Sequence, residues 1–128
     1  MQQPINFVPH EPSLALKELG FDEPCFGYYD ASNLEKYEFI IQNNVKNSDF
    51  IFGMTAPLYQ QAFRWFREKH GLSGNIDCCD KLCEWNIKSS KLDKSIFSNN
   101  IQSYEEAELE CLKNLIEIVK QQTHATTN

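Results

Sequence analysis

The spacing of apolar residues predicts two helices in the first half of this 128-residue chain. In the segment 55–71, TAPLYQQAFRWFREKHG, apolar side chains recur every three or four residues. Thr55 is a suitable N-cap for this helix, and Gly71 is a suitable terminator because glycine readily adopts the left-handed conformation. A shorter amphipathic helix is expected over residues 12–20, which also end in glycine.

A third helix is predicted near the C-terminus. The sequence Ser103-Tyr-Glu-Glu106 is a capping box, in which the serine and the glutamate each satisfy a backbone N–H of the first turn. The helix is expected to run to about Gln121. Tyr59-Gln-Gln-Ala62 and Tyr104-Glu-Glu-Ala107 match in the two longer helices, which raises the possibility of a degenerate β-β-α repeat, although common capping chemistry explains the match equally well.

Alternation of apolar and polar residues, together with short apolar runs, indicates strands between the helices. The predicted segments are 25–30, 34–41, 49–54, 81–88 and 94–101, with a turn at 30–33 after the first of them. These elements predict an α+β fold: a short N-terminal helix and an antiparallel sheet of about four or five strands, with the two longer helices packed on one face. The whole chain, 1–128, is expected to be a single domain, with an extended lead-in over 1–11 and a frayed tail over 122–128.

Charge and composition argue against several classes of function. The net charge of −6 makes the protein acidic and argues against nucleic acid as a partner, because binding to phosphates requires a basic face. The longest uncharged apolar run, 50–54, is far shorter than a membrane span requires. The N-terminal residues show no signal-peptide pattern and the number of cysteines is odd, so the cytoplasm is the expected location.

The aromatic helix could either bind a partner or fill a core. Helical geometry places Tyr59, Phe63 and Phe66 on its apolar face, where core packing is the usual role. Trp65 lies at the edge of that face, and tryptophan is enriched among interface anchors. Two roles are therefore open for Trp65: contact with a partner, or packing at the edge of the core.

Its opposite face is basic. Arg64 and Arg67 lie at solvent positions, and Arg64 has the spacing of an ion pair with Glu68. The face from Arg64 to His70 is the most basic local segment, which keeps nucleic-acid binding open as an alternative function.

Tyr28 and Tyr29, in FGYYD, point to opposite sides if the segment is a strand, so one of them is expected to be exposed and available to a partner. Cross-strand packing is the commoner role for such a pair.

The cysteines suggest a further alternative, a small enzyme or metal-binding protein. Within the cluster Cys78, Cys79 and Cys83, the pair Cys79 and Cys83 has the spacing of half a zinc site, but no second pair of ligands occurs, and adjacent cysteines diverge in a strand. Buried or edge thiols are the simpler reading, so no metal, cofactor or catalytic residue is predicted. No motif for a nucleophile, a phosphate-binding loop or a metalloprotease occurs in the sequence.

The predicted C-terminal helix carries a broad apolar stripe with acidic residues around it. Its width would allow burial against both the sheet and a second subunit, so a homo-oligomer through this helix is possible, but deeper burial in the monomer explains the stripe equally well.

Three blocks of the sequence resemble a family of small hypothetical proteins from gut anaerobes, their phages and mobile elements. The blocks are LALKELGFDEPCFGYYD (14–30), TAPLYQQAFRWFREKHGL (55–72) and YEEAELECLKNLIEIVK (104–120). That family has no established activity, so the resemblance implies no site residues. It implies an accessory protein of a phage or mobile element that acts in the bacterial cytoplasm. The leading hypothesis is therefore a non-catalytic module that binds a protein partner through Trp65 and one of Tyr28 or Tyr29.

Overall fold

The fold is α+β, as predicted. The computed structural model describes residues 6–31, 36–90, 95–98 and 100–126, and within these ranges it contains three α-helices, one short 3-10 helix and six strands in two antiparallel sheets. The chain divides into two compact units, 1–61 and 62–128. The expectation of a single domain stays a prediction.

The first unit is built around a three-stranded sheet. Its elements are α1 (His10–Glu18), β1 (Cys25–Asp30), β2 (Glu38–Val45), a 3-10 helix (Asn47–Asp49) and β3 (Met54–Thr55). The strand order is β2-β1-β3, so β1 is central, with Tyr29 opposite Phe39 on one side and opposite Met54 on the other. Tyr29, Met54 and Ala56 form a buried cluster against which Phe7 and Phe39 pack.

Helix α2 (Tyr59–His70) begins four residues later than the predicted cap at Thr55. Thr55 instead belongs to β3 and is fully buried. The first turn is capped by Gln61, whose side-chain oxygen accepts the backbone N–H of Leu58 at 2.9 Å. Gly71 terminates the helix with a φ of 66°, as predicted.

The second unit packs a long helix on a second sheet. Its elements are β4 (Ser73–Cys79), β5 (Leu82–Lys88), β6 (Ile96–Phe97) and α3 (Tyr104–Thr126), and the strand order is β4-β5-β6. Gly74 allows the helix to approach the sheet closely. A Cβ at this position would lie only 3.0 Å from the Cys111 sulfur and 3.1 Å from Leu115. Burial of these small and aliphatic side chains between helix and sheet accounts for most of the apolar stripe of α3.

Several predicted bounds were wrong. The strand predicted over 34–41 lies at Glu38–Val45, and part of the predicted turn at 30–33 falls outside the described residues. The helix expected from residue 12 begins at His10, inside the predicted lead-in. Helix α3 continues to Thr126, through most of the predicted frayed tail. Strand β4 was not predicted, because SGNIDCC lacks a clear apolar alternation.

The proposed repeat is matched at the helices and not in the sheets. Tyr59 and Tyr104 are the first residues of α2 and α3, and the matched Ala62 and Ala107 are both fully buried. The central strand, however, is the first of three in the first sheet and the second of three in the other. The similarity therefore extends to the first residue and the buried alanine of each helix, whereas the capping bonds and the order of strands differ.

Candidate functional site

Tyr29 does not offer a surface to a partner. Its side chain is 3% exposed, and its hydroxyl donates a hydrogen bond of 2.6 Å to the carbonyl of Val8. Burial, with a smaller contribution from Tyr59, raises the pKa of Tyr29 well above its usual value. Of the two tyrosines considered as anchors, this is the core residue.

Trp65 is also buried, with 6% of its surface exposed. Its ring centroid lies 5.1 Å from that of Phe66 and 4.9 Å from that of His70, both in edge-on arrangements. The sequence placed this tryptophan at the edge of the apolar face, but its large ring is covered almost completely. The role as a partner anchor is therefore not carried over to Trp65.

Tyr28 is the half-buried member of the tyrosine pair, and it has an aromatic neighbour. Its ring stacks on that of Phe50 with 4.6 Å between centroids. Phe26, two residues earlier on β1, is 48% exposed. An aromatic ridge thus lies on the more exposed positions of β1.

The two residues that follow Phe50 in the chain are also apolar and exposed. Ile51 and Phe52 are 89% and 76% exposed, in a bend that was predicted to be a strand. Side chains of this size are seldom left so open side by side without a role in binding. We call Phe26, Tyr28, Phe50, Ile51 and Phe52 the apolar surface, and residues 50–53 the presenting loop.

Lys17 holds the presenting loop at both ends. Its ammonium donates hydrogen bonds to the carbonyl oxygens of Phe50 at 3.1 Å and Gly53 at 2.7 Å. Gly53 has a φ of 111°, and a Cβ there would lie 2.6 Å from the carbonyl oxygen of Tyr29. Only glycine fits this close approach, so the bend is fixed against β1.

The residues just before the loop are fixed as well. The buried Asn47 donates to the carbonyl of Phe21 at 2.7 Å and accepts the backbone N–H of Thr55 at 2.8 Å. Asp22 accepts the backbone N–H of Ser48 at 2.7 Å. These bonds tie the start of the loop to segments distant in sequence, so the loop is held in one conformation before any partner arrives.

The chemistry available at the apolar surface is that of contact. Four of its five side chains are hydrocarbon, and the phenol of Tyr28 adds one hydrogen-bonding group. The neighbouring carboxylates Asp22 and Asp49 are exposed, with Lys46 between them in sequence. Such a surface can bury apolar area against a partner, with charged groups at its rim.

The basic face of α2 is solvent-exposed as predicted, but its first arginine is engaged. The Arg64 guanidinium donates to the Glu68 carboxylate at 2.8 Å, and this bond lowers the pKa of Glu68. Arg67 and Lys69 are also exposed. Glu68 lies on the same face, and its negative charge offsets part of the positive charge that would attract a phosphate backbone.

The cysteine region differs from the prediction of free thiols. Cys78 and Cys83 are joined by a disulfide, whereas Cys79 is free and exposed. Across the part of the chain that the structure describes, no three side chains of His, Cys, Asp or Glu gather as metal ligands do. Cys25 and Cys111 are free and buried, and burial raises their thiol pKa to about 11 and about 12.

No family model, curated protein or solved structure matches this chain. Within the described ranges, none of the helices combines the length and the apolar character that crossing a membrane demands. The presenting loop was the part of the site that the sequence did not identify. Its signal was the apolar run FIFGM, in which Gly53 argued for a bend.

Proposed function

We propose that this protein is a non-catalytic module that binds a protein partner through the apolar surface. The observation that supports this most directly is the pair of adjacent, almost fully exposed apolar residues, Ile51 and Phe52, on a loop held by hydrogen bonds. Tyr28 is the one anchor residue of the sequence-based hypothesis that this proposal retains. Phe26 and the presenting loop extend it.

Preorganisation favours the presenting loop as an anchor. An exposed loop that must be ordered on binding loses affinity to conformational entropy. Here Lys17 and Asn47 already hold the backbone, so the cost of ordering is reduced. Large apolar side chains on a rigid support are the groups around which binding energy concentrates.

The charge of the protein indicates the type of partner. The net charge is −6, and two exposed carboxylates lie beside the start of the loop: Asp49 precedes it, and Asp22 accepts the backbone N–H of Ser48. A partner with an apolar pocket and a basic rim is complementary to this arrangement, whereas an anionic lipid surface is not. The partner we propose is therefore a protein with an apolar cleft bordered by lysine or arginine.

The proposed setting is that of a phage or mobile-element accessory protein acting in the bacterial cytoplasm. The resemblance of the three sequence blocks supports this setting. Three free cysteines suit a reducing compartment, whereas the bond between Cys78 and Cys83 suits an oxidising one. Self-association through α3 remains an additional proposal.

The test compares partner capture by the wild type with capture by Ile51→Ser/Phe52→Ser. Tagged protein is used to isolate binding proteins from a bacterial lysate at moderate and high salt, with nuclease treatment in parallel, and the affinity for the purified partner is then measured by calorimetry. We expect the double variant to bind at least about tenfold more weakly, because truncation of anchor residues commonly costs over 1 kcal/mol each. The matched control is Leu82→Ser/Ile101→Ser, which makes the same type of change at exposed apolar residues of the second unit.

A third variant separates the loop conformation from the contact residues. Lys17→Met removes the two hydrogen bonds to the loop and leaves every residue of the apolar surface unchanged, so it should weaken binding by a smaller factor. Equal affinities of the wild type and the double variant would show that binding does not use this surface. Loss of all capture after nuclease treatment would instead favour nucleic acid and the Arg64–His70 face.

A further inference from the structure

The disulfide lies near the closed end of the β4–β5 hairpin. Cys78 and Cys83 are directly opposite each other in the antiparallel register, with 4.1 Å between their Cα atoms. Only Cys79, Leu82 and the turn at 80–81 lie beyond them. The pairing of β4 with β5 therefore holds Cys78 and Cys83 side by side, whether or not the bond between them is formed.

The two sulfurs differ in their access to solvent. Cys78 is exposed, whereas Cys83 is 2% exposed. Both residues line an open hollow of about 550 Å³ between the end of the hairpin and the first turn of α3. The other residues that line it are Ile76, Asp80, Lys81, Ser103, Tyr104 and Glu105. A small molecule that enters this hollow meets Cys78 as the open end of the bond.

Cys79 is placed where it cannot readily serve as the internal exchange partner. It follows Cys78 directly in a strand, so their side chains point to opposite faces of the sheet. Its cross-strand neighbour is Leu82, and not a cysteine. The other two free thiols, Cys25 and Cys111, are buried, so we expect the attacking thiol to come from outside the chain.

We propose that the Cys78–Cys83 bond is a reversible exchange site for small thiols, with Cys78 as the sulfur that is attacked. The thiolate of the incoming molecule forms a new S–S bond to Cys78 while the bond to Cys83 breaks. The electron pair of the broken bond leaves on Cys83, which takes up a proton and becomes a thiol. A second small thiol then attacks the mixed disulfide, releases the symmetric small-molecule disulfide and leaves Cys78 as a thiol.

The backbone around Cys83 favours reversal of this reaction. The N–H of Cys83 donates to the carbonyl of Gln102 at 2.8 Å, and the N–H of Gln102 donates back to Cys83 at 2.9 Å. Cys83 is thus held between β4 and the residue that precedes the cap of α3. After reduction these bonds keep Cys83 opposite Cys78, so that a small-molecule disulfide can restore the bond.

The charges that line the hollow indicate the class of thiol. Lys81 is positive, and Asp80 and Glu105 are negative, so the lining carries one net negative charge within a chain of net charge −6. A small aminothiol, which is cationic, is attracted to this site, and a carboxylate thiol is repelled. Each rate at equal thiolate concentration is divided by the rate of the same thiol with an uncharged small-molecule disulfide, so that intrinsic nucleophilicity cancels. On this scale we expect cysteamine to react about two- to fivefold faster than mercaptopropionate, with the difference decreasing as salt increases.

The experiment treats the folded, oxidised full-length protein with a limited amount of cysteamine. The reaction is quenched with acid, which removes thiolates, and free thiols are labelled with a maleimide in acidic urea. Peptide mapping by mass spectrometry should find cysteamine on Cys78 and maleimide on Cys83 in the same molecule. Return of the Cys78–Cys83 bond on addition of cystamine would complete the expected result.

Cys79→Ser is the matched control, because it removes the adjacent exposed thiol without touching the bond. It should exchange at the wild-type rate. Cys83→Ser, checked for folding by circular dichroism, has a free Cys78 thiol. When treated with cystamine, this thiol should release one cysteamine and accumulate as the mixed disulfide, because no Cys83 thiol can displace it. The proposal is overturned if cysteamine is found on Cys83, if Cys79→Ser abolishes exchange, or if the bond is inert in the folded wild type. The proposal is also overturned if the oxidised protein contains no Cys78–Cys83 bond.

Discussion

At the scale of single residues, two glycines separate the effect of backbone conformation from that of steric crowding. Gly20 and Gly53 have φ values of 99° and 111°. A Cβ at Gly20 would meet nothing within 4 Å, whereas a Cβ at Gly53 would lie 2.6 Å from the carbonyl oxygen of Tyr29. Gly20→Ala should therefore lower the free energy of unfolding by about 1 kcal/mol, from backbone strain alone. Gly53→Ala should lower it further, because the presenting loop must also move away from β1.

Urea denaturation of the two variants and the wild type gives the comparison directly. Amide hydrogen exchange of residues 50–53 should increase in Gly53→Ala and stay at the wild-type level in Gly20→Ala. If both variants lose the same stability, the close approach to Tyr29 does not hold the loop, and the argument for a preorganised surface loses that support.

At the scale of elements, the sequence predicted the helices and strands that depend on residues close together in the chain. The start of α3 followed from its capping residues, whereas α2 was predicted to start at Thr55, a residue of β3, and begins at Tyr59. The CFGYYD strand was predicted with its correct bounds, Cys25–Asp30. The presenting loop was missed, because its bend depends on Lys17, a residue more than thirty positions earlier in the chain. The disulfide was missed because it depends on the register of β4 against β5.

The start of α3 supplies a prediction at this scale. Ser103 accepts the backbone N–H of Glu106 at 3.2 Å, and its hydroxyl donates to the Glu106 carboxylate at 2.8 Å. Ser103→Ala removes both bonds and should lower the free energy of unfolding by about 1 kcal/mol. Ser90→Ala, an exposed serine in the turn after β5, is the matched control and should change it by less than about 0.5 kcal/mol. Thermal denaturation followed by circular dichroism measures both, and equal shifts would show that the serine cap contributes nothing of its own.

At the scale of the whole molecule, the sequence predicted the class of fold and not the arrangement of its strands. Which strands pair is decided by contacts between distant residues, and no local pattern indicated that the six strands within the described ranges divide three and three. Each unit nevertheless buries a free thiol, Cys25 in the first and Cys111 in the second, at 1% and 0% exposure. Because ionisation of a buried thiol changes the free energy of unfolding, these two thiols make the stability of each unit depend on pH.

Burial raises the pKa of Cys25 from 9.0 to about 11 and that of Cys111 from 9.0 to about 12. Because the folded protein favours the neutral thiol, this stabilisation is fully present below pH 9 and decreases as the pH rises toward these values. Each thiol should reduce the free energy of unfolding by about 1.4 kcal/mol per pH unit in this range. Urea denaturation across the range should therefore show a steep loss of stability in the wild type. Cys25→Ala and Cys111→Ala should each show a shallower loss, since each variant lacks one of the two buried thiols and is otherwise identical to the wild type. Identical slopes would mean that these thiols ionise as freely in the folded chain as in the unfolded one, which would contradict their burial against β3 for Cys25 and β4 for Cys111.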